Sequence, residues 1–203
     1  MAKTSRAATK LIKLKVTLQG IRPPIWRRLL MPGWITLGDL HWAIQATMGW
    51  GNCHLHQFDI ADRVYGDPQS VDSVDDEECL TLDKVVRSHV ARFLYTYDFG
   101  DDWEHVITIE GTQPTLDGEA YPACVAGRRN GPPEDCGGCW GYQEMLNALA
   151  DPDHPGHDQW IEMTDDGFDP EAFSAKAANA LLAYRFGQQG APTIHPHRRW
   201  TRG

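Results

Sequence analysis

No stretch of this 203-residue chain approaches the run of about 20 apolar residues that crosses a bilayer, so neither a membrane-spanning helix nor a membrane partner is expected. Met1 to Lys10 is basic but lacks the apolar core of a secretory signal, so the expected location is the cytoplasm. Cysteine is scarce and odd in number: Cys53, Cys79, Cys124, Cys136 and Cys139 cannot all pair, and a disulfide framework is not expected. Acidic residues are missing altogether from positions 1 to 38, which hold Lys3, Arg6, Lys10, Lys13, Lys15, Arg22, Arg27 and Arg28, while all 28 acidic residues lie beyond. The net charge of -9 therefore conceals a basic amino end on an acidic body. That end is either a solvated strand face held near its own acidic body, or an edge that meets DNA through Arg22, Arg27 and Arg28.

What is present has the composition of an ordinary globular protein, 41% hydrophobic and 23% charged. Leu11 to Gln19 alternates, with Ile12, Leu14, Val16 and Leu18 on one face, as a half-buried strand does. After Arg22-Pro23-Pro24, residues Ile25 to Met31 read as its hairpin partner. Thr36 with Asp39 three residues on is the signature of a capped helix start, and Leu37, Leu40, Ile44 and Met48 carry the helical period to Gly49. Cys53 to Ile60 alternates as a third strand, followed by an acidic loop from Asp62 to Glu78 and a short helix over Thr81 to Ser88. Phe93 to Phe99 and Trp103 to Ile109 are two further strands joined by Asp98 to Asp102. Gln113 to Gly141 reads as one long loop, Tyr142 to Leu149 as a helix ended by Asp151-Pro152, and Asp169-Pro170 as the start of a last helix with Phe173, Ala177, Ala180, Leu181 and Tyr184 on its buried stripe. The order predicts an α+β fold, a mostly antiparallel sheet with helices packed on one face, as a single domain over 11–186 between a flexible basic N-terminus (1–10) and a flexible basic tail (187–203).

Chemistry concentrates in two islands. Tyr97-Asp98-Phe99-Gly100-Asp101-Asp102-Trp103-Glu104-His105 places four acids, a histidine and three aromatics around one turn. Such carboxylates serve as solvated turn residues, hold a hard cation, or raise one another's pKa for acid–base work. His105 shares a face with Trp103, Ile107 and Ile109, and so points to the apolar side as a core histidine or a ligand. The second island, Pro132 to Tyr142, combines Glu134, Asp135, Cys136 and Cys139 with glycines ahead of a helix. Cys136 and Cys139 could be a redox pair or unpaired structural thiols. With Cys124 and either His105 or His54 they have the composition of a zinc site, so zinc or another divalent metal stays open as a cofactor. His154 and His157, flanked by prolines, read as turn residues.

The run Tyr95 to His105, the block Pro132 to Gly138 with Gly141-Tyr142, the stretch Asp169 to Phe173 and the opening Ile21-Arg22-Pro23-Pro24-Ile25-Trp26-Arg27-Arg28 together resemble the plasmid pRiA ORF-three-like family over Leu11 to Phe186. The resemblance implies one α+β domain. Members are often labelled resolvase-like passengers of insertion elements, which implies an association with mobile elements. A serine resolvase needs a nucleophilic serine beside an arginine cluster, and Ser5, Ser70, Ser73, Ser88 and Ser174 offer no such arrangement. Gly131 stands where the family's loop often carries a cysteine.

These residues predict a binding or adaptor module. Its acidic, aromatic-lined cleft is built from the 97–105 hairpin and the 124–142 loop and lined by Tyr97, Asp98, Asp101, Asp102, Trp103, His105, Glu134, Asp135 and Tyr142, for a peptide, basic protein or small ligand. Two other readings stay open. One is a metal-dependent hydrolase or nuclease-like enzyme with Asp101, Asp102, Glu134 or Asp135 as ligands and His105 as base. The other is a mobile-element accessory touching DNA through the basic strand.

Overall fold

The computed structural model describes residues 10–116, 120–164 and 167–187; the two expected flexible termini lie, apart from Lys10 and Gly187, outside the described residues. Eight strands form one sheet: β1 (Lys10–Leu18), β2 (Trp26–Pro32), β3 (His56–Ile60), β4 (Arg63–Gly66), β5 (Asp75–Asp76), β6 (Arg92–Tyr97), β7 (Trp103–Pro114) and β8 (Ala123–Arg128). Their order is β5-β4-β3-β6-β7-β1-β2-β8, antiparallel throughout except for the β4–β5 pair. The α-helices among the described residues are α1 (Leu37–Met48), α2 (Leu82–Arg87), α3 (Gly138–Ala150), α4 (His157–Met163) and α5 (Ala175–Phe186). The fold is α+β, and no helix among the described residues is long and apolar enough to cross a membrane.

Alternation decides which face is covered. Ile12, Leu14, Val16 and Leu18 of β1 pack into one core with Leu37, Leu40, Ala43, Ile44 and Met48 of α1, with Tyr142 and Met145 of α3 and with Ala178 and Leu182 of α5. The opposite face stays polar: Arg28 makes a two-pronged contact with Glu110, and Lys15 sits over the Trp26 ring at 5.1 Å. Thr36 caps α1 as expected, its hydroxyl accepting from the Asp39 amide at 3.1 Å while the Asp39 carboxylate accepts from the Thr36 amide.

Three departures from expectation share a cause. β4, β5 and β8 lie within stretches that read as loops, because each is too short to show a period, and all three sit at the two ends of the sheet, β5 and β8 as its edge strands and β4 next to β5. β3 begins at His56 rather than Cys53, which leaves His54 on an irregular approach. The last helix begins at Ala175 with the Ser174 hydroxyl as its cap; Asp169-Pro170 instead makes a turn, with the Asp169 carboxylate accepting from the Glu171 amide at 2.9 Å.

Candidate functional site

The β6–β7 turn is built by its own acids. Asp98 and Asp102 both adopt left-handed backbone (φ 58° and 53°), a conformation that Asp tolerates better than most residues. The Asp98 carboxylate folds back so that Oδ1 accepts from the amides of Gly100 (2.9 Å) and Asp101 (3.3 Å). Asp98 is thereby 7% exposed, an unusual burial for a carboxylate, while Phe99 at the tip is 46% exposed.

Three segments from distant parts of the chain meet at this turn. The Tyr97 hydroxyl is their junction: it accepts from the amide of Cys53 at 3.0 Å, with the His54 amide at 3.4 Å, and donates to Glu134 Oε1. Glu134 Oε2 in turn accepts from the Gly51 amide at 2.8 Å, and the Trp50 indole donates to the Pro132 carbonyl at 2.8 Å. Asp101 Oδ2 accepts from the Gly137 amide at 3.1 Å, tying the turn to the start of α3. Gly138 (φ 66°) lies so close that a Cβ there would overlap the Asp101 carbonyl oxygen. Gly131 is equally constrained, against the Met48 carbonyl, so a cysteine has no room at that position. The hairpin and the long loop are therefore in direct contact.

The result is a cleft of about 560 Å³ lined by residues 52–56, Asp67, Ser70, Val71 and the turn residues Asp98, Phe99 and Gly100. At its inner end the His54 imidazole Nε2 lies 3.5 Å from Asp98 Oδ2 and 3.2 Å from Asp135 Oδ1. Behind this wall the His41 and His56 rings stack at 3.5 Å and 8°. His56 bonds Glu77 at 2.8 Å, and His41 is held between the Tyr95 hydroxyl and Asn52. Burial, with the neighbouring His56, keeps His41 well below the usual histidine range and hence neutral.

The aromatic residues expected to line the cleft lie beneath it instead. Tyr97, Trp103 and Tyr142 are no more than 1% exposed, with Trp50 stacked on Tyr97 at 4.9 Å and Tyr142 edge-on to Phe168. His105 is fully buried between Trp50 and Tyr95, its Nδ1 on the Trp103 carbonyl at 2.9 Å, and burial lowers its pKa to about 4. It is a core residue, closed off from solvent and outside the grouping of metal-ligating side chains among the described residues, which does not fit the expected roles of base and metal ligand. Asp101, Glu134 and Asp135 meet where the turn joins the α3 loop, with Glu134 fully engaged and Asp135 exposed, while the exposed Asp102 closes the turn with its amide on the Asp98 carbonyl.

The cysteine zinc site does not form. Among the described residues the one grouping of three or more metal-ligating side chains is His54, Asp98 and Asp135, whose donor atoms lie within 4.8 Å of one another. Cys124 is bound into β8, its amide and carbonyl bonding Asn179 of α5, whereas the Cys139 thiol faces the Gln19 carbonyl. Burial, followed by the Asp101 charge, pushes the Cys136 thiol up to about 12, a poor setting for a redox nucleophile. The basic strand is likewise committed internally. Arg27 is 2% exposed, donates to the carbonyls of Thr47, Trp26 and Arg128, and stacks on Phe173 at 4.5 Å; Arg28 is paired with Glu110, leaving Arg22 as the exposed member of the expected DNA edge.

An α+β fold with an eight-stranded, mostly antiparallel sheet and a polar cluster at a hairpin end is the class that fold and site define. The chain belongs to the plasmid pRiA4b ORF-3-like protein family, whose model matches residues 10–177. It is 42% identical over 154 residues to the uncharacterized protein y4hQ of Sinorhizobium fredii, covering 74% of this chain and 79% of that one. It is also similar to the crystal structure of the protein of unknown function MM3350 from Methanosarcina mazei Go1, with a TM-score of 0.77, 39% identity and coverage of 84% of this chain and 98% of that one.

Of the residues that make the site, His54 was legible only as an alternative zinc ligand, and His41, His56 and Asp67 were not singled out. Their sequence signal was thin: the His54-x-His56 alternation at a strand start, and an acid in a loop without period.

Proposed function

We propose that this protein is a binding module whose cleft at the β6–β7 turn receives a positively charged group of a peptide, basic protein or small ligand. The supporting observation is convergence. Asp67 and Asp98 line the cleft, Asp101, Glu134 and Asp135 meet at the same junction, Asp102 follows in the same turn, and neither Lys nor Arg is among the lining residues. Acidic walls of low dielectric concentrate cations and speed their capture. Leu55, Val71 and Phe99 give the same cleft an apolar lip. A metal-dependent hydrolase is the second reading, favoured by the His54–Asp98–Asp135 grouping, with a base other than His105. Contact with DNA through β2 has less support, because Arg27 and Arg28 already have partners. A cytoplasmic setting accords with the five free cysteines, and carriage by a mobile element with the plasmid in the family's description.

The test uses a fluorescein-labelled oligolysine peptide in the presence of chelator, with oligoglutamate as control. Saturable oligolysine binding that weakens with salt is expected, and Asp102→Asn/Asp135→Asn, both at exposed positions, should weaken it about tenfold, or about 1.4 kcal/mol. Equal binding of oligoglutamate, or an unchanged affinity in the double variant, overturns the reading.

A further inference from the structure

We propose that His54 Nε2, Asp98 Oδ2 and Asp135 Oδ1 hold one divalent first-row metal ion of the Zn²⁺ type, with the rest of its coordination open to water or to a donor atom of the ligand. The proposal rests on the reading of the cleft as a cation site and names the innermost cation.

The first argument is charge. Asp98 is 7% exposed, and its Oδ1 is satisfied by two turn amides, whereas its Oδ2 is left facing His54. A buried carboxylate is costly unless its charge is compensated. Asp135, whose side chain is 70% exposed, reaches in from solvent to bring a second carboxylate oxygen to the same nitrogen, so that three donor atoms from three segments converge on one point.

Geometry makes the second argument. His54 Nε2 is inaccessible to solvent yet makes no hydrogen bond to either oxygen, although they stand at 3.2 and 3.5 Å. An ordinary pair in the same molecule looks different: His56 Nε2 and Glu77 Oε2 are hydrogen-bonded at 2.8 Å. Donor atoms about 2.0–2.1 Å from a tetrahedral ion sit roughly 3.3 Å apart, a value that falls between the two observed separations. The nitrogen and oxygens thus share a common vertex rather than a mutual proton.

The supporting shell is already in place. The Gly100 and Asp101 amides orient the Asp98 carboxylate, the Asp98 amide is anchored on the Leu55 carbonyl at 2.8 Å, and the Tyr97 hydroxyl fixes the backbone that carries His54. One nitrogen with two carboxylate oxygens suits Zn²⁺, Co²⁺ or Mn²⁺ better than Ca²⁺, which prefers six or more oxygens. Three protein ligands with an open position is the pattern of a reactive or ligand-binding metal rather than a closed structural one.

The experiment is calorimetric titration of the tag-free full chain, stripped with chelator, with ZnCl₂ and with CoCl₂. One equivalent should bind, and bound Co²⁺ should give the visible d–d absorption of a non-octahedral site. His54→Gln and Asp135→Asn should each weaken binding at least about tenfold, while Cys136→Ser/Cys139→Ser leaves it unchanged. Should a variant fold poorly, wild-type protein still decides: paramagnetic Co²⁺ should broaden the amide resonances of residues 52–55, 98–101 and 134–136. Absence of saturable binding, affinity unchanged in both ligand variants, or broadening centred elsewhere overturns the proposal. Oligolysine bound in chelator without any metal uptake leaves the cleft reading standing and removes the metal; failure of both probes removes both.

Discussion

His105 shows how far a single side chain can change meaning between a string of residues and a fold. Next to four acids it looks like acid–base machinery, but the alternation of β7 turns it inward, where it is fully buried and its pKa falls to about 4. Well above pH 6.5 the ring is neutral in folded and unfolded chains alike and contributes no pH dependence. Between about 6.5 and 4 the unfolded chain takes up a proton that the fold refuses, so stability falls as pH falls. From pH 7 to pH 5 this one residue should cost about 2 kcal/mol, and His105→Gln should shrink the loss by that amount in urea unfolding at the two pH values. An undiminished loss would mean that His105 ionises freely in the fold. Tyr97 changed meaning in the other direction: expected as cleft lining, it works from below, its hydroxyl joining Cys53, His54 and Glu134.

At the scale of elements, the junction of the hairpin with the α3 loop depends on backbone approach as much as on side chains. Gly138 sits at φ 66° against the Asp101 carbonyl, so Gly138→Ala must both strain the backbone and push the loop from the turn. We expect a loss of about 1–3 kcal/mol in chemical denaturation, together with weaker binding of the oligolysine probe; a substitution without effect on either would show that the contact is dispensable. The elements legible beforehand were those with a strong period, β1, α1 and the β6–β7 pair, because one covered face imposes alternation or helical spacing on the residues. β8 and the start of α5 were not. β8 is a six-residue edge strand in a Gly-rich stretch, and Asp169-Pro170 spells a helix start equally well when it forms only a turn.

For the whole molecule, Arg27 links parts that are far apart in sequence, since its guanidinium ties β2 to the C-terminal end of α1 at Thr47 and to β8 at Arg128. Burial draws its pKa down to about 10, which leaves it charged at neutral pH. Arg27→Ala strands the carbonyls of Thr47, Trp26 and Arg128, the first of them buried, and a loss of about 3 kcal/mol, or roughly 6–12 °C in Tm, is expected from calorimetry. A Tm within 2 °C of wild type, about the error of such scans, would argue that water replaces the guanidinium without penalty. The same commitment turns a residue that reads as a DNA contact into a structural brace. Periodicity and motif content alone determined the fold class, the family and the two polar islands, because each is written in local spacing or residue identity. Which of those polar groups face solvent, and that His54 joins Asp98 and Asp135 in place of His105 or the cysteines, was decided only by the tertiary structure: burial and convergence are properties of residues 44 and 81 positions apart, and no local pattern carries them.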